Sequence, residues 1–169
     1  MSISVLFSSF FGFDGLIFLV AVGNAVVFYL ARKSINELYE TMHKKVYTPA
    51  VHEETASLRT EVDSMSEQQI DSMREKAVRY YTLYGTITGI FPLLGILGTV
   101  ISLISMVGDT SIESGFFAAL TSTFWGLVFA IAYKFLDGFL SPKLEDGERA
   151  VEVLLAKRAK EREEKEKGL

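Results

Sequence analysis

The side chains of this 169-residue chain that could do chemistry in apolar surroundings are hydroxyls. Thr99 and Thr123 lie near the middle of two long uncharged stretches, with Ser102, Thr121 and Ser122 close by. A hydroxyl donates and accepts hydrogen bonds, so it can hold water, an ion or a carboxylate. The alternative for a lone threonine in an apolar helix is a bond to a carbonyl of its own helix.

Other kinds of site are poorly supported by the composition. The chain has no cysteine, which excludes disulfides, thiolate metal sites and cysteine nucleophiles. His43 and His52 lie in a polar region and cannot form a zinc site alone. The net charge of −4 argues against nucleic-acid binding. We therefore predict neither an enzyme nor a protein with a cofactor or a bound metal.

Three apolar stretches must position the hydroxyls. They cover residues 16–31, 81–107 and 115–140, and a membrane-spanning helix needs roughly 20 apolar residues. The first is the shortest, and a cleaved signal peptide is the alternative for it. Residues 1–31 contain no Lys or Arg, however, whereas a signal peptide begins with a basic region. The sequence thus predicts an all-α integral membrane protein with three transmembrane helices.

The basic residues predict how the chain is oriented. Of the 17 Lys and Arg residues, eight lie in residues 32–80 and eight in residues 142–169, and Lys134 is the remaining one. A three-span chain places its middle region and its tail on the same side, which the positive-inside rule makes cytoplasmic. The acidic residues Asp14, Asp109 and Glu113 then belong to the outer side. The predicted organisation is an outer segment 1–15, TM1 16–31, a cytoplasmic helical region 32–80, TM2 81–107, an outer loop 108–114, TM3 115–140 and a charged cytoplasmic tail 141–169.

The two cytoplasmic regions are predicted to continue the spans as long helices. Apolar residues recur at spacings of three and four before the Thr48-Pro49 step, and again further along the region. The first set is Ile35, Leu38, Met42 and Val46, and the second is Leu58, Val62, Met65, Met73 and Ala77. In the tail, mixed Lys, Arg and Glu favour a solvated helix, with a binding segment as the alternative.

Small residues in the second and third spans predict close helix packing. Gly85 and Gly89 form a GxxxG pair, and small side chains let neighbouring membrane helices approach closely. The wider packing set is Pro92, Gly95 and Gly98 in the second span and Ala119, Gly126 and Ala130 in the third. Trp125, Phe129 and Leu136 are expected to face lipid or other subunits.

Three polar residues remain in or beside the spans. Asn24 is predicted to bond a neighbouring helix, because an amide in hydrocarbon needs a partner. Lys134 and Asp137 lie three residues apart at the cytoplasmic end of the third span. Lys134 can extend to lipid phosphates, or the two can form a charge pair at a pore mouth or subunit interface.

Two strings in adjacent spans resemble the MotA/TolQ/ExbB proton-channel family. They are Pro92-x-x-Gly95-x-x-Gly98-Thr99-Val100 and Ala119-Leu120-x-x-Thr123-x-x-Gly126-Leu127-x-x-Ala130-Ile131. The resemblance covers about residues 80–140, and the short three-span plan is similar to the TolQ/ExbB branch. Ala118 and Ala132 depart from that branch, which usually has a glutamate and a proline at these positions.

The resemblance implies a mechanism and partners. In the family, five copies of such a chain form a ring around two helices of a single-span partner similar to ExbD, TolR or MotB. An aspartate in the partner's helix carries the ion, and ion flow turns the partner in the ring. This implies a stator subunit of a motor in the bacterial inner membrane, with protein transport among the driven processes. Thr99 and Thr123 occupy the positions of the family's pore threonines.

The residues themselves support this interpretation. No acidic residue lies deep in the predicted spans, so a conducting channel needs a carboxylate from another chain. The neighbouring hydroxyls make sodium the alternative ion, since hard cations favour oxygen ligands. Thr121 and Ser122 cannot both share the helix face of Thr123, so we expect a proton. The alternative function is a membrane scaffold subunit that does not conduct.

Overall fold

The computed structural model describes residues 13–47, 65–106 and 112–167, and these residues form three α-helices. The helices are α1 (Phe13–Tyr47), α2 (Glu67–Met106) and α3 (Ile112–Lys167). Each contains a stretch that is long and apolar enough to cross a membrane. The prediction of an all-α fold with three helices able to span a membrane is therefore confirmed for the described residues, while the predicted positions Leu58 and Val62 lie outside them.

The three helices contribute to two compact units. The first, which we call the apolar unit, comprises the described residues within Met1–Phe28 and Thr82–Asp137. The second, the charged unit, comprises those within Tyr29–Tyr81 and Gly138–Leu169. Many large apolar side chains of the apolar unit are exposed, among them Leu19 and Val22 of α1 and Ile104 of α2. Such exposure suits a protein whose surroundings are lipid or other membrane helices.

Hydrogen bonds tie α1 to the other two helices of the apolar unit. Asn24 is fully buried and donates from Nδ2 to Thr88 Oγ1 on α2 at 3.1 Å, so the predicted bond to a neighbouring helix is confirmed. The Tyr133 hydroxyl on α3 donates to the Ala21 carbonyl on α1 at 2.6 Å. The Tyr84 hydroxyl donates in turn to the Tyr133 carbonyl. These bonds satisfy polar groups that would be costly to bury unpaired.

Aromatic rings fill the space between the helices of the apolar unit. The ring of Phe18 on α1 lies 4.9 Å from that of Trp125 and 5.1 Å from that of Phe129, and Phe91 stacks on Tyr133 at 5.4 Å. Trp125 and Phe129 thus pack against α1, a contact that the sequence did not predict, and since both remain half-exposed, their exposure to lipid or other subunits stays a prediction. The spacing on α3 places these two rings on one face, but only the position of α1 determines that Phe18 covers that face.

The charged unit has its own apolar core. Ile35, Leu38 and Met42 of α1 are fully buried, as their spacing predicts. Buried partners come from α2 and α3, namely Ile70, Ala77, Leu140, Leu144, Ala150, Val151 and Leu154. Beyond Arg158, whose Nη1 donates to the Met65 carbonyl at 3.0 Å, α3 is exposed through residues 159–167. This exposure is what a solvated helical end would show.

A capping box begins α2. The Ser66 hydroxyl accepts a bond from the Gln69 amide at 3.2 Å, and the Gln69 side chain accepts one from the Ser66 amide at 2.9 Å. Two backbone donors that a helix start leaves unpaired are satisfied in this way.

Replacing Ser66 by alanine is expected to lower the free energy of unfolding of the charged unit by about 1 kcal/mol. The loss follows from removal of a hydroxyl that accepts a helix-starting N–H. Hydrogen exchange of the amides of residues 67–70 would measure it. The matched control is Ser72→Ala, because the Ser72 hydroxyl only donates to the carbonyl of Gln69 in the same helix. Equal exchange rates in both variants would contradict the cap.

Candidate functional site

Thr99 of α2 and Thr123 of α3 meet in the apolar unit, where their hydroxyl oxygens are in hydrogen-bond contact. The Thr99 hydroxyl also lies 3.0 Å from the Gly95 carbonyl of its own helix and 3.2 Å from the Ala119 carbonyl of α3. The Thr123 hydroxyl lies 3.3 Å from the same Gly95 carbonyl. Thr99 thus makes the bond within its own helix that was the alternative for a lone threonine, and it also contacts Thr123 and the Ala119 carbonyl on α3.

The two hydroxyls, which we call the threonine pair, have more acceptors than protons. Two O–H groups serve these four contacts, so only some of the hydrogen bonds form at any one time. The donors can therefore switch between acceptors by rotation of the hydroxyls alone. Both side chains are half-buried, so the pair is also within reach of a further group. Such a pair can donate to a carboxylate and accept from a carboxylic acid.

Glycines bring the backbones of α2 and α3 together beside the threonine pair. A Cβ atom on Gly126 would lie 2.7 Å from the Phe91 carbonyl oxygen and 2.9 Å from Gly95 Cα. A Cβ on Gly95 would lie 3.1 Å from Thr123 Cα. Because these neighbours are backbone atoms, they cannot move aside as a flexible side chain would. Gly95 and Gly126 therefore hold the two helices close enough for the hydroxyls to touch.

Two further small residues complete this contact. Ala119 is buried, and its carbonyl accepts from Thr99. Gly98 makes room for Ser122, because a Cβ there would lie 2.6 Å from Ser122 Cβ. The predicted packing residues Gly95, Gly98, Ala119 and Gly126 thus all lie between the helices of this unit.

The other predicted packing residues line an open groove. A Cβ on Gly85 or Gly89 would meet nothing within 4 Å, so the GxxxG pair has no helix against it among the described residues. The groove has a volume of about 390 Å³. Its lining includes Gly85, Gly89, Pro92 and Ala130, together with Lys134 and Asp137.

Lys134 and Asp137 form an ion pair in this groove. The Lys134 Nζ lies 2.7 Å from Asp137 Oδ2, and the Asp137 side chain is only 14% exposed. The other carboxylate oxygen, Oδ1, is buried and has no hydrogen-bond partner among the described residues. Elsewhere in the described ranges, no three His, Asp or Glu side chains come together as metal ligands would.

The burial of one acidic residue of the apolar unit was not predicted from the sequence. Asp14, predicted to lie in an outer segment, belongs to the first turn of α1 and is buried. Its Oδ1 accepts a hydrogen bond from Ser122, the residue before Thr123. The signal in the sequence was an acidic residue directly before an apolar run. Its burial depends on contact with α3, which the sequence does not specify.

Comparison with known proteins identifies the family. The model of the MotA/TolQ/ExbB proton channel family matches residues 33–153, which is well over half of the chain. No curated protein and no solved structure matches the chain. The matched range includes all of α2 and residues 112–153 of α3, and so the threonine pair and its glycines. The chain therefore belongs to the MotA/TolQ/ExbB proton channel family.

Proposed function

We propose that this chain is an ion-channel subunit of an energy-transducing motor in the bacterial inner membrane. Copies of the chain, five by analogy with the family, surround a dimeric single-span partner whose aspartate carries the ion. Proton flow through the ring turns the partner, and sodium is the alternative ion. The observation that carries the proposal is the threonine pair, held between two spans of a protein from a proton-channel family.

The chemistry of the spans supports a carboxylate supplied by another chain. Residues 15–31, 82–106 and 115–133 contain no Asp, Glu, Lys, Arg or His, and Asp14, directly before the first of these ranges, is buried against Ser122. Crossing hydrocarbon as a bare charge is costly, so an ion path needs titratable groups or polar groups that hold water. The threonine pair can bond a partner's carboxyl group whether or not it is protonated, because a hydroxyl both donates and accepts. The carboxyl group could then pass without becoming trapped in one charge state.

The open surfaces of the apolar unit support assembly into a ring. Gly85 and Gly89 present a small-residue face that no described residue covers, and small faces are where membrane helices approach each other. The groove beside them carries the Lys134–Asp137 pair, which we assign to a pore mouth or subunit interface. The bias of Lys and Arg towards residues 32–80 and 142–169 supports a cytoplasmic location for those regions.

Purification from the native membrane tests the proposal. We expect mild detergent to extract the chain together with a single-span protein that has an aspartate in its span. The reconstituted complex should pass protons, and replacing that aspartate by asparagine should stop the flux. A homo-oligomer without a partner, in vesicles that leak neither protons nor sodium, would instead indicate a scaffold subunit. A partner without a carboxylate in its span would also contradict the mechanism.

A further inference from the structure

The carboxylate of Asp14 lies against the apolar parts of α2 and α3, away from the ends of those parts. Ser122, which donates to Asp14 Oδ1, follows Gly115 by seven residues, and Gly98, which packs on Ser122, precedes Met106 by eight. At about 1.5 Å per residue, these positions lie roughly 10 Å inside the ends of the apolar parts of α2 and α3. Asp14 is 5% exposed and Ser122 is 2% exposed. The contact is therefore well inside the bundle.

The Asp14–Ser122 contact lies in the same layer of the bundle as the threonine pair. Ser122 and Thr123 are consecutive in α3, and Gly98 and Thr99 are consecutive in α2. A Cβ on Gly98 would come within 2.6 Å of Phe13 Cδ1 and 2.8 Å of Ser122 Oγ, so the glycine makes space for the start of α1 at this level. Asp14 therefore lies at the level of the threonine pair, where the start of α1 packs against α2 and α3.

Within the described residues, no ion pair brings a positive charge to Asp14. Residues 98–106 of α2 and 115–122 of α3 run from the level of the Asp14–Ser122 contact to the nearer ends of the two spans. They contain no basic, acidic or histidine residue. No ion pair joins Asp14 to any residue in the described part of the chain. An ionisable side chain inside a membrane protein is expensive to keep, and such residues generally handle ions or protons.

The hydrogen bond from Ser122 does not by itself explain why this position holds a carboxylate. An acidic residue in the first turn of a helix interacts favourably with the helix dipole, and Ser122 adds one hydrogen bond. An asparagine would accept the same bond from Ser122, and it carries no charge to bury. Aspartate differs from asparagine at this position in two ways, namely the negative charge that the helix dipole favours and the ability to take up and release a proton.

We propose that Asp14 is a proton-exchanging carboxylate in the outer half of the channel. This inference rests on the proposed function and on the outward orientation of this end of α1. A proton from water on the outer side binds the carboxylate and forms one O–H bond. Release of that proton, to water near the threonine pair or to the partner's carboxylate, breaks the same bond and restores Asp14. The Ser122 hydroxyl holds the group in place by donating to the carboxylate or accepting from the acid.

The test is proton flux in membrane vesicles from cells that carry variant chromosomal copies with their native partner. We expect Asp14→Asn to lower the flux at least about 10-fold, since a positioned proton-transfer group contributes that much or more. Asp14→Glu should restore much of it. The control Glu37→Gln, an exposed carboxylate further along α1, should conduct like the wild type. Each variant complex is checked for assembly by size-exclusion chromatography.

The outcomes separate this inference from the proposed function. Wild-type vesicles that pass no protons contradict the proposed function itself. If the wild type conducts and Asp14→Asn conducts equally, Asp14 has no proton-exchanging role. Should Asp14→Asn fail to assemble, the wild-type complex is treated with dicyclohexylcarbodiimide, which reacts with protonated carboxyl groups in apolar surroundings. Modification of Asp14, found by peptide mass spectrometry, supports the inference, and an Asp14 that stays unmodified after the partner's aspartate has been fully modified overturns it.

Discussion

Replacing Thr123 by valine is expected to lower ion flux about 10- to 100-fold while the complex still assembles. Valine matches threonine in shape, so the contact of α3 with Gly95 is preserved. The lost hydroxyl leaves Thr99 with only the Gly95 and Ala119 carbonyls as partners and leaves a passing carboxyl group one hydrogen bond short. A polar group without its bond costs about 1–3 kcal/mol, or roughly 5- to 150-fold in rate, and the expected loss of flux lies within that range. Proton uptake into vesicles that contain the complex is the measurement.

The structure offers a matched control and a stricter form of this test. Thr86→Val removes an exposed hydroxyl of α2 that donates to the Thr82 carbonyl of the same helix, and it should conduct normally. Thr99→Val should resemble Thr123→Val. The double variant should be little worse than either single one, because the two hydroxyls act on each other. Normal flux in both single variants would show that the threonine pair only packs the helices, as a scaffold subunit requires.

Replacing Gly126 by alanine is expected to have the largest effect on folding. The added methyl group would lie 2.7 Å from the Phe91 carbonyl oxygen and 3.0 Å from the Gly95 amide nitrogen. These are backbone atoms, so α2 and α3 must move apart along the contact that carries the threonine pair. Overpacking of this kind costs about 1–3 kcal/mol and occasionally more. We expect a lower unfolding temperature of the detergent-purified chain, monitored through the single tryptophan, Trp125.

The control for this effect is Gly23→Ala on α1. A Cβ on Gly23 meets nothing within 4 Å, and the residue is exposed. The variant should be as stable as the wild type, or more stable by up to about 1 kcal/mol, because alanine is the better helix former. If Gly126→Ala were as stable as Gly23→Ala, the close approach of α2 and α3 at Gly126 would be contradicted.

The two substitutions distinguish chemistry from packing. Thr123→Val removes a polar group and keeps the shape, whereas Gly126→Ala adds volume and keeps every hydroxyl. A conducting subunit should lose flux in the first variant with its stability nearly unchanged. A scaffold subunit should tolerate the first and be damaged by the second. Measuring flux and unfolding temperature on both variants therefore tests the proposed function without knowledge of the process that it drives.

The sequence by itself determined the three membrane-spanning helices and the family. Hydrocarbon thickness sets the length of a spanning helix, so uninterrupted apolar runs are enough to predict such helices. The order of small residues and threonines in the second and third spans was enough to indicate the family, because that order follows the chain. The partner of Asn24 on another helix was also predictable, since an amide in hydrocarbon must find a hydrogen bond.

Only the tertiary structure decided which helix face meets which neighbour. Gly85 and Gly126 look alike in the sequence, yet one faces an open groove and the other touches the backbone of α2. Trp125 packs on Phe18 of α1, a contact that the sequence did not predict, and Asp14 is buried because α1 begins against Ser122. Helical periodicity groups residues into faces, but the rotation and depth of each helix depend on contacts between residues far apart in the chain.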